Sequence, residues 1–399
     1  MSTDGLQQLV DELAAVLQRS VAVDDSDLNP VALSPHYGAI DDARVQAILA
    51  QRTAGKLLQF TRSLPLRQAR GLLRVPANAE LRTLPRLMVP LRIHDELFGF
   101  LWLIDADPPF SAEEVAIAQK AAPEIARRLA DSSRAADESR ARDTELVRAL
   151  VGTDPGAAVH ALTEAHRLGR LTSSSAPAVA VIAVESGAVE GLHASHGVRT
   201  ALDSTLSGVV SNELVVVADS AVLETDGRAV GSTTKTFWER IAAAVASRGD
   251  TMTAAGVATS EALRTAHLRA GYAARIAGST HGIPLVAHWD RLGAWQLLYG
   301  LPWTWETVEV LFPGFSRLRS NGELAVTVAT FLNTGGDAAA TVTALGIHRT
   351  SYYYRRDRII DLVGDGWRTG PGRLAAHAAV MLAGQLDPAF APQAPSKLR

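Results

Sequence analysis

Between residues 323 and 360 three short helical patterns are separated by glycine, and this spacing constrains the fold more than any other feature of the chain. Glu323 to Asn333 (ELAVTVATFLN) repeats apolar residues at a helical period, and Gly335-Gly336 breaks the run. Asp337 stands where an N-cap would open a second short stretch, AAATVTAL, and after the turn at Gly346 the segment HRTSYYYRRDRII begins a third. Helix, glycine turn, helix, short turn, helix is the order of a helix-turn-helix, whose last helix reads DNA.

A projection of the third helix at 100° per residue separates two faces. Tyr352, Ile359, Ile360 and Val363 fall on one side, and Thr350, Ser351, Tyr354, Arg355 and Arg358 on the other. The second set carries what DNA accepts: guanidinium groups for phosphate or guanine, hydroxyls for either. Arg355 and Arg358 are expected mainly on phosphate, Thr350, Ser351 and Tyr354 in the groove, and Arg349, near the helix start, in either role. Tyr353 completes the set of expected DNA-contacting residues. Arg356 projects to the core side, so it must snorkel or find an acid. An ordinary amphipathic surface helix would show similar charges; the preceding glycine turn and short helix favour the reader.

The segment FLNTGGDAAATVTALGIHRTSYYYRRDRI resembles the C-terminal domain of PucR/CdaR-type bacterial transcription regulators, whose pattern F/YL-x-x-GGN-x-x-x-x-A-x-x-L-x-I/VHRNTLxYRLxRI it follows in the same spacing over roughly 35 residues. The departures are Asp337 for the Asn, Thr350-Ser351 for Asn-Thr, Tyr352 and Arg356 for leucines, and Asp357 for a common basic residue. The resemblance implies a transcription regulator that binds double-stranded DNA. Because a single helix-turn-helix gains few base contacts, two readers about one DNA turn apart on a palindromic operator are expected, and hence a homodimer.

The length of 399 residues suggests two to four domains, and the expected class is multidomain, α/β followed by all-α. A net charge of −3 means that DNA affinity must come from a local patch. The chain has no cysteine, which excludes disulfides, thiolate zinc sites and a cysteine nucleophile and fits a cytoplasmic setting. Asp4, Asp11 and Glu12 interrupt the first 18 residues, unlike a signal peptide, and no apolar run reaches the roughly 18 residues of a membrane span, so a soluble protein is expected.

Residues 1–130 read as one sensory α/β unit: helix Leu6 to Gln18, hairpin SVAVDDSDLNPVALS, a helix near Asp41 to Arg52, then the pair LMVPLRIHDELFGFLWLID turning at His94-Asp95-Glu96. A helix follows, with Ser111 as N-cap and Glu114 at the capping-box position. This order resembles a GAF domain, which implies a small-molecule effector in a pocket; Phe60, Met88 and Trp102 are the candidate lining, with plain core as the simpler reading. Over residues 111–150 small or apolar residues recur every three or four positions, among them Leu129, Ser132, Ala136, Ser139, Asp143 and Leu146. The run suits either a long helix pairing with its twin or two helices joined by the charged linker DSSRAADESRARD, and residues 131–150 are read as this connecting helix or linker.

Residues 151–300 alternate strand and helix: AVAVIAV, helix TALDSTLSGVVS, ELVVVAD, helix TFWERIAAAVASR, MTAAGVA, helix SEALRTAHLRAGYAARIA and PLVAHWD. In the context of the resemblance this is similar to a degenerate GGDEF-like domain. The segment SNELVVVAD lacks the Gly-Gly-acid-acid-Phe signature of a cyclase, so nucleotide cyclisation is read as absent. Residues 301–386 hold a helical connector, Trp303 to Arg319, and the reader, and 387–399 read as a Pro-rich disordered tail.

No HExxH, Walker loop or GxSxG motif occurs, and His160 and His166 stand six apart with no further ligand at fixed spacing. No catalytic residue, metal or cofactor is expected. Two other readings stand beside the regulator: a dimeric signalling scaffold whose reader has decayed, suggested by Tyr352, Arg356 and Asp357, and a residual nucleotide enzyme in the middle unit.

Overall fold

The structure, a computed structural model, describes residues 3–45, 55–106, 108–172, 176–224, 236–280 and 283–390. Helix α1 (Thr3–Leu17) leads into strands β1 (Val21–Asp25) and β2 (Pro30–Leu33), then α2 (Gly55–Ser63), β3 (Leu73–Val75), β4 (Arg86–Ile93) and β5 (Glu96–Ile104). The strands form an antiparallel sheet in the order β2-β1-β5-β4-β3. Period-two alternation sends Leu87, Val89, Leu91, Leu101 and Leu103 to one face, and Met88, Phe100 and Trp102 to the other, where Leu58 of α2 packs. The Asp25 carboxylate closes the first hairpin by accepting from the backbone N–H groups of Asp27 and Asn29, each at 2.9 Å. The second turn is tighter than the expected three residues, because Glu96 already pairs with Ile93. Of the helix expected near Asp41 to Arg52, residues 42–45 are helical and 46–52 lie outside the described residues.

Helix α3 (Ala112–Leu150) is continuous, opened by the expected capping box of Ser111 and Glu114. At 1.5 Å per residue its 39 residues span about 58 Å. Its first part buries Ala118, Ala122, Ile125, Ala126 and Leu129 against α1 and the first sheet, and its end buries Val147 and Leu150 in the next core. The expected pairing seam does not face outward: Ser132, Ala136, Ser139 and Asp143 line a cleft of about 650 Å³ between the first sheet and the second. The exposed side instead carries Arg134, Glu138, Arg142 and Glu145, a charged row with no apolar stripe for a twin helix.

The second sheet has the order β10-β9-β6-β8-β7. Its strands are β6 (Pro177–Val184), β7 (Leu206–Val210), β8 (Glu213–Asp219), β9 (Met252–Thr259) and β10 (Val286–His288), connected through α4 (Pro155–Arg167), α5 (Val189–Ala194), α6 (His196–Leu202), α7 (Ser220–Leu223), α8 (Phe237–Ser247) and α9 (Leu263–Ser279). Strands and helices alternate much as expected, with one correction. TALDSTLSGVVS is not one helix: α6 ends at Leu202 and β7 begins at Leu206. The cause is the turn Ser211-Asn212, whose two left-handed residues (φ 50° and 64°) match the twist of a two-residue hairpin into β8. Among the described residues only β10 pairs in parallel, with β9. Two glycines set close approaches: a Cβ on Gly256 would overlap the Ala270 carbonyl of α9, and one on Gly208 would lie 2.8 Å from Thr144 Cα of α3.

The expected connector is two helices, α10 (Trp305–Leu311) and α11 (Phe315–Arg319), separated where Pro313 precedes the left-handed Gly314 (φ 87°). Then follow α12 (Gly322–Asn333), α13 (Ala338–Leu345), α14 (Arg349–Val363) and α15 (Gly370–Leu386). Their core joins Phe315, Leu318, Val328, Phe331, Tyr352, Ile359, Trp367 and Val380. The start of the expected tail is ordered: Phe390 is buried against Trp305 and Phe315, and residues 391–399 lie outside the described residues. This bundle meets the second sheet where Arg275 stacks 3.7 Å from the Trp303 ring centre and Gln385 donates to Thr280 Oγ1 at 2.9 Å. Among the described residues no helix is long and apolar enough to cross a membrane.

Candidate nucleic-acid interface and a cavity in the first sheet

The turn between α12 and α13 uses Gly335 (φ 69°) and Gly336 (φ 82°), a backbone that side chains resist. Asp337 then caps α13 by accepting from Ala340 N–H at 2.7 Å, and the buried Thr341 hydroxyl bridges to Thr334 Oγ1 at 2.9 Å. Gly346 ends α13 in the left-handed region, and His348 caps α14 through Nδ1, which accepts from Thr350 N–H at 3.3 Å. These local devices fix the direction in which α14 leaves the domain.

The inner face of α14 holds Tyr352, 2% exposed, and the fully buried Ile359. Tyr352 thus fills a place where the family pattern has leucine, and burial raises its phenol pKa. Arg356 finds the acid its position demands: Nη2 lies 2.6 Å from Asp357 Oδ1, and the guanidinium sits 4.6 Å from the Tyr353 ring centre. Tyr353 is also held from the other side, where Arg349 Nη2 donates to its hydroxyl at 3.2 Å.

On the outer face Thr350, Ser351, Tyr354 and Arg358 are exposed, Tyr354 at 73%. The Tyr354 ring thus stands in the open beside hydroxyls and guanidinium groups and takes no part in the core. Arg349 joins them at the helix start, and Arg358 has only a long 3.8 Å approach to Asp361. Arg355, expected on phosphate, has an intrachain partner in the DNA-free chain. Its side chain turns back onto α12, with Nη2 3.0 Å from Glu323 Oε2 and Nη1 3.5 Å from Thr327 Oγ1. It fastens the third helix to the first, and a helical projection alone gives no sign of that, since Thr327 lies 28 positions away.

A second feature lies in the first sheet. A cavity of about 60 Å³ opens between β1, β5 and α2, walled by Leu57, Phe60, Leu64 and Trp102 and bordered by Asp24, Arg44 and Arg86. Phe60 and Trp102 therefore line it, as two of the three expected residues, whereas Met88 is fully buried in the adjoining core. Asp41 accepts both Arg86 Nη2 bonds at 2.7 Å, and Arg44 donates to the Val21 and Ser34 carbonyls. Burial, with the neighbouring Asp25, pushes the Asp24 carboxyl up to about 7 against the pull of Arg86. The Trp102 indole N–H exerts the weakest pull on Asp24 and does not reach hydrogen-bond geometry with it. Among the described residues no group of three or more His, Asp or Glu side chains could hold a metal.

Residues 324–382 match the family model of the PucR C-terminal helix-turn-helix domain. No curated protein matches the chain. The crystal structure of a regulator of polyketide synthase expression from Bifidobacterium adolescentis matches over 62% of this chain and 99% of that one, at 17% identity and a TM-score of 0.28. A likeness that distant carries nothing over to the α/β units. The family match instead falls on the part already built from its caps and glycine turns: residues 324–382 form a PucR-type C-terminal helix-turn-helix domain.

Proposed function

We propose that the chain is a homodimeric, cytoplasmic transcription regulator in which a signal received at a GAF-like first unit alters how two C-terminal readers engage a palindromic operator. The observation that carries it is the outward row of α14, Arg349, Thr350, Ser351, Tyr354 and Arg358, presented by a capped and glycine-turned three-helix frame. Hydroxyls and the exposed Tyr354 ring suit base edges and thymine methyls, and the two arginines suit phosphate. The boundaries 1–130, 131–150, 151–300, 301–386 and 387–399 remain our division. The antiparallel first sheet with its side cavity supports the GAF-like reading, and the hairpin β7–β8, which carries Ser211-Asn212 in its turn, supports a GGDEF-like unit without the cyclase signature.

The test selects bound sequences from random duplexes and then titrates the preferred one at several salt concentrations. Replacing Arg349 and Arg358 by Ala is expected to weaken binding and to lower the salt slope by about 0.9 for each phosphate no longer neutralised. Unchanged affinity across the salt series would overturn the assignment. One observation favours the scaffold reading instead: Arg355 and Arg356 are both occupied by acids of their own domain. That reading predicts a dimer that retains no duplex.

A further inference from the structure

Three N–H donors around the cavity of the first sheet have no hydrogen-bond partner among the described residues: Arg44 Nε, Arg86 Nε and Trp102 Nε1. Arg44 is 4% exposed and Trp102 7%. Buried donors are almost always paired, and each one left unpaired is costly. Here they come from three separate segments, the helical residues 42–45, β4 and β5, and all three residues border one space. Leu57, Phe60 and Leu64 supply an apolar wall opposite the polar groups.

We propose that this cavity binds a short-chain carboxylate, its anionic head accepting from the unpartnered donors of Arg44, Arg86 and Trp102 and its alkyl end lying against Leu57, Phe60 and Leu64. The inference rests on the reading of the first unit as the receiver of a signal. About 60 Å³ holds only a few heavy atoms, which limits the chain to roughly two to four carbons. Two guanidinium groups favour an anion over a neutral amide.

Asp24 sets the condition for binding. The ionisable groups around it are Asp25 on its own strand, Arg86 of β4, and Arg44 of the helical residues 42–45 on the same lining, with Asp41 behind, bonded to Arg86 and to the Arg44 backbone; β5 contributes the Trp102 indole, and α2 adds no ionisable group to the lining. With its carboxyl pushed up to about 7, Asp24 is half protonated at neutral pH. An incoming carboxylate favours the protonated form, which does not repel it and has a proton to donate to it. Binding therefore takes up a proton and weakens as pH rises.

Calorimetric titration of the full chain with acetate, propionate and butyrate, and with propionamide as the neutral control, tests the site. We expect saturable binding of at least one carboxylate at pH 6, affinity about tenfold lower at pH 8, and no binding of the amide. Trp102→Phe, which keeps an aromatic ring and removes the donor, should weaken binding about tenfold. Asp24→Asn should bind with little pH dependence, and it guards against a Trp102 variant that folds poorly. Absence of saturation by all three carboxylates, or equal binding of propionamide, overturns the proposal. So does a folded Trp102→Phe protein with unchanged affinity. Duplex binding by the same preparation is measured alongside. A cavity that takes no carboxylate leaves the DNA reading intact, and a chain that binds no duplex leaves the titration readable.

Discussion

Asp24 shows how a single buried group shapes stability. Its carboxyl holds a proton up to about pH 7 in the fold, against an ordinary value of 3.8. The folded chain therefore binds more protons than the unfolded chain between those values. By linkage its stability falls as pH rises from about 4 to about 7, with the loss complete above the folded value. Asp24→Asn removes this slope. Thermal melts should show the variant melting above the parent at pH 8 and close to it at pH 4. The residue scale is also where the sequence is least legible. The helical projection of α14 correctly separates Tyr352 and Ile359 from Thr350, Ser351 and Tyr354. It cannot reveal that Arg355 is taken by Glu323 and Thr327, because a projection holds no information about a second helix. The unpartnered donors of the cavity are hidden for the same reason, since they belong to strands and turns that meet only in the sheet.

Elements whose ends are fixed by neighbours in sequence are readable from the residues alone. The capping boxes and N-caps are local chemistry: Ser111 with Glu114, and Asp337 with Ala340, each span three residues. Strand β7 is not readable in this way. Its residues, LSGVV, follow a helix without a strong stop, and the two-residue turn at Ser211-Asn212 needs backbone angles that neither residue type announces as glycine would. The cap at Asp337 can be tested directly. Asp337→Ala should lower the stability of the C-terminal bundle by about 1 kcal/mol, as an N-cap loss does. Asp337→Asn should be nearly neutral, since asparagine caps equally well and is the residue of the family pattern. Chemical denaturation followed through the buried Trp367 measures both.

At the scale of the whole molecule α3 links the two α/β units, and the ion pair from Arg248 to Asp27 at 2.8 Å also joins them. The alternation of elements and the long helix are legible in the sequence; the direction of the seam is not, since spacing alone does not say whether small residues meet a partner or line the chain's own cleft. If the two α/β units fold separately, a break in the exposed middle of α3 should stay local. Ala135→Pro removes a helical hydrogen bond at a cost of about 3 kcal/mol or more. Amide exchange is expected to speed up around 131–139 while β4 and β6 keep their protection. Loss of protection in both sheets would mean that the units depend on each other.

The glycine contact at the far end of α3 has a mechanical corollary. Leu129 would crowd any side chain on Gly99, and Thr144 would crowd any on Gly208, so the rod is seated hard against both sheets at points 15 residues apart. A rod held this way has little slack. With a length of about 58 Å, tilting one end by about one degree carries the other end through roughly 1 Å, comparable to the play a packed interface tolerates before it must choose another arrangement.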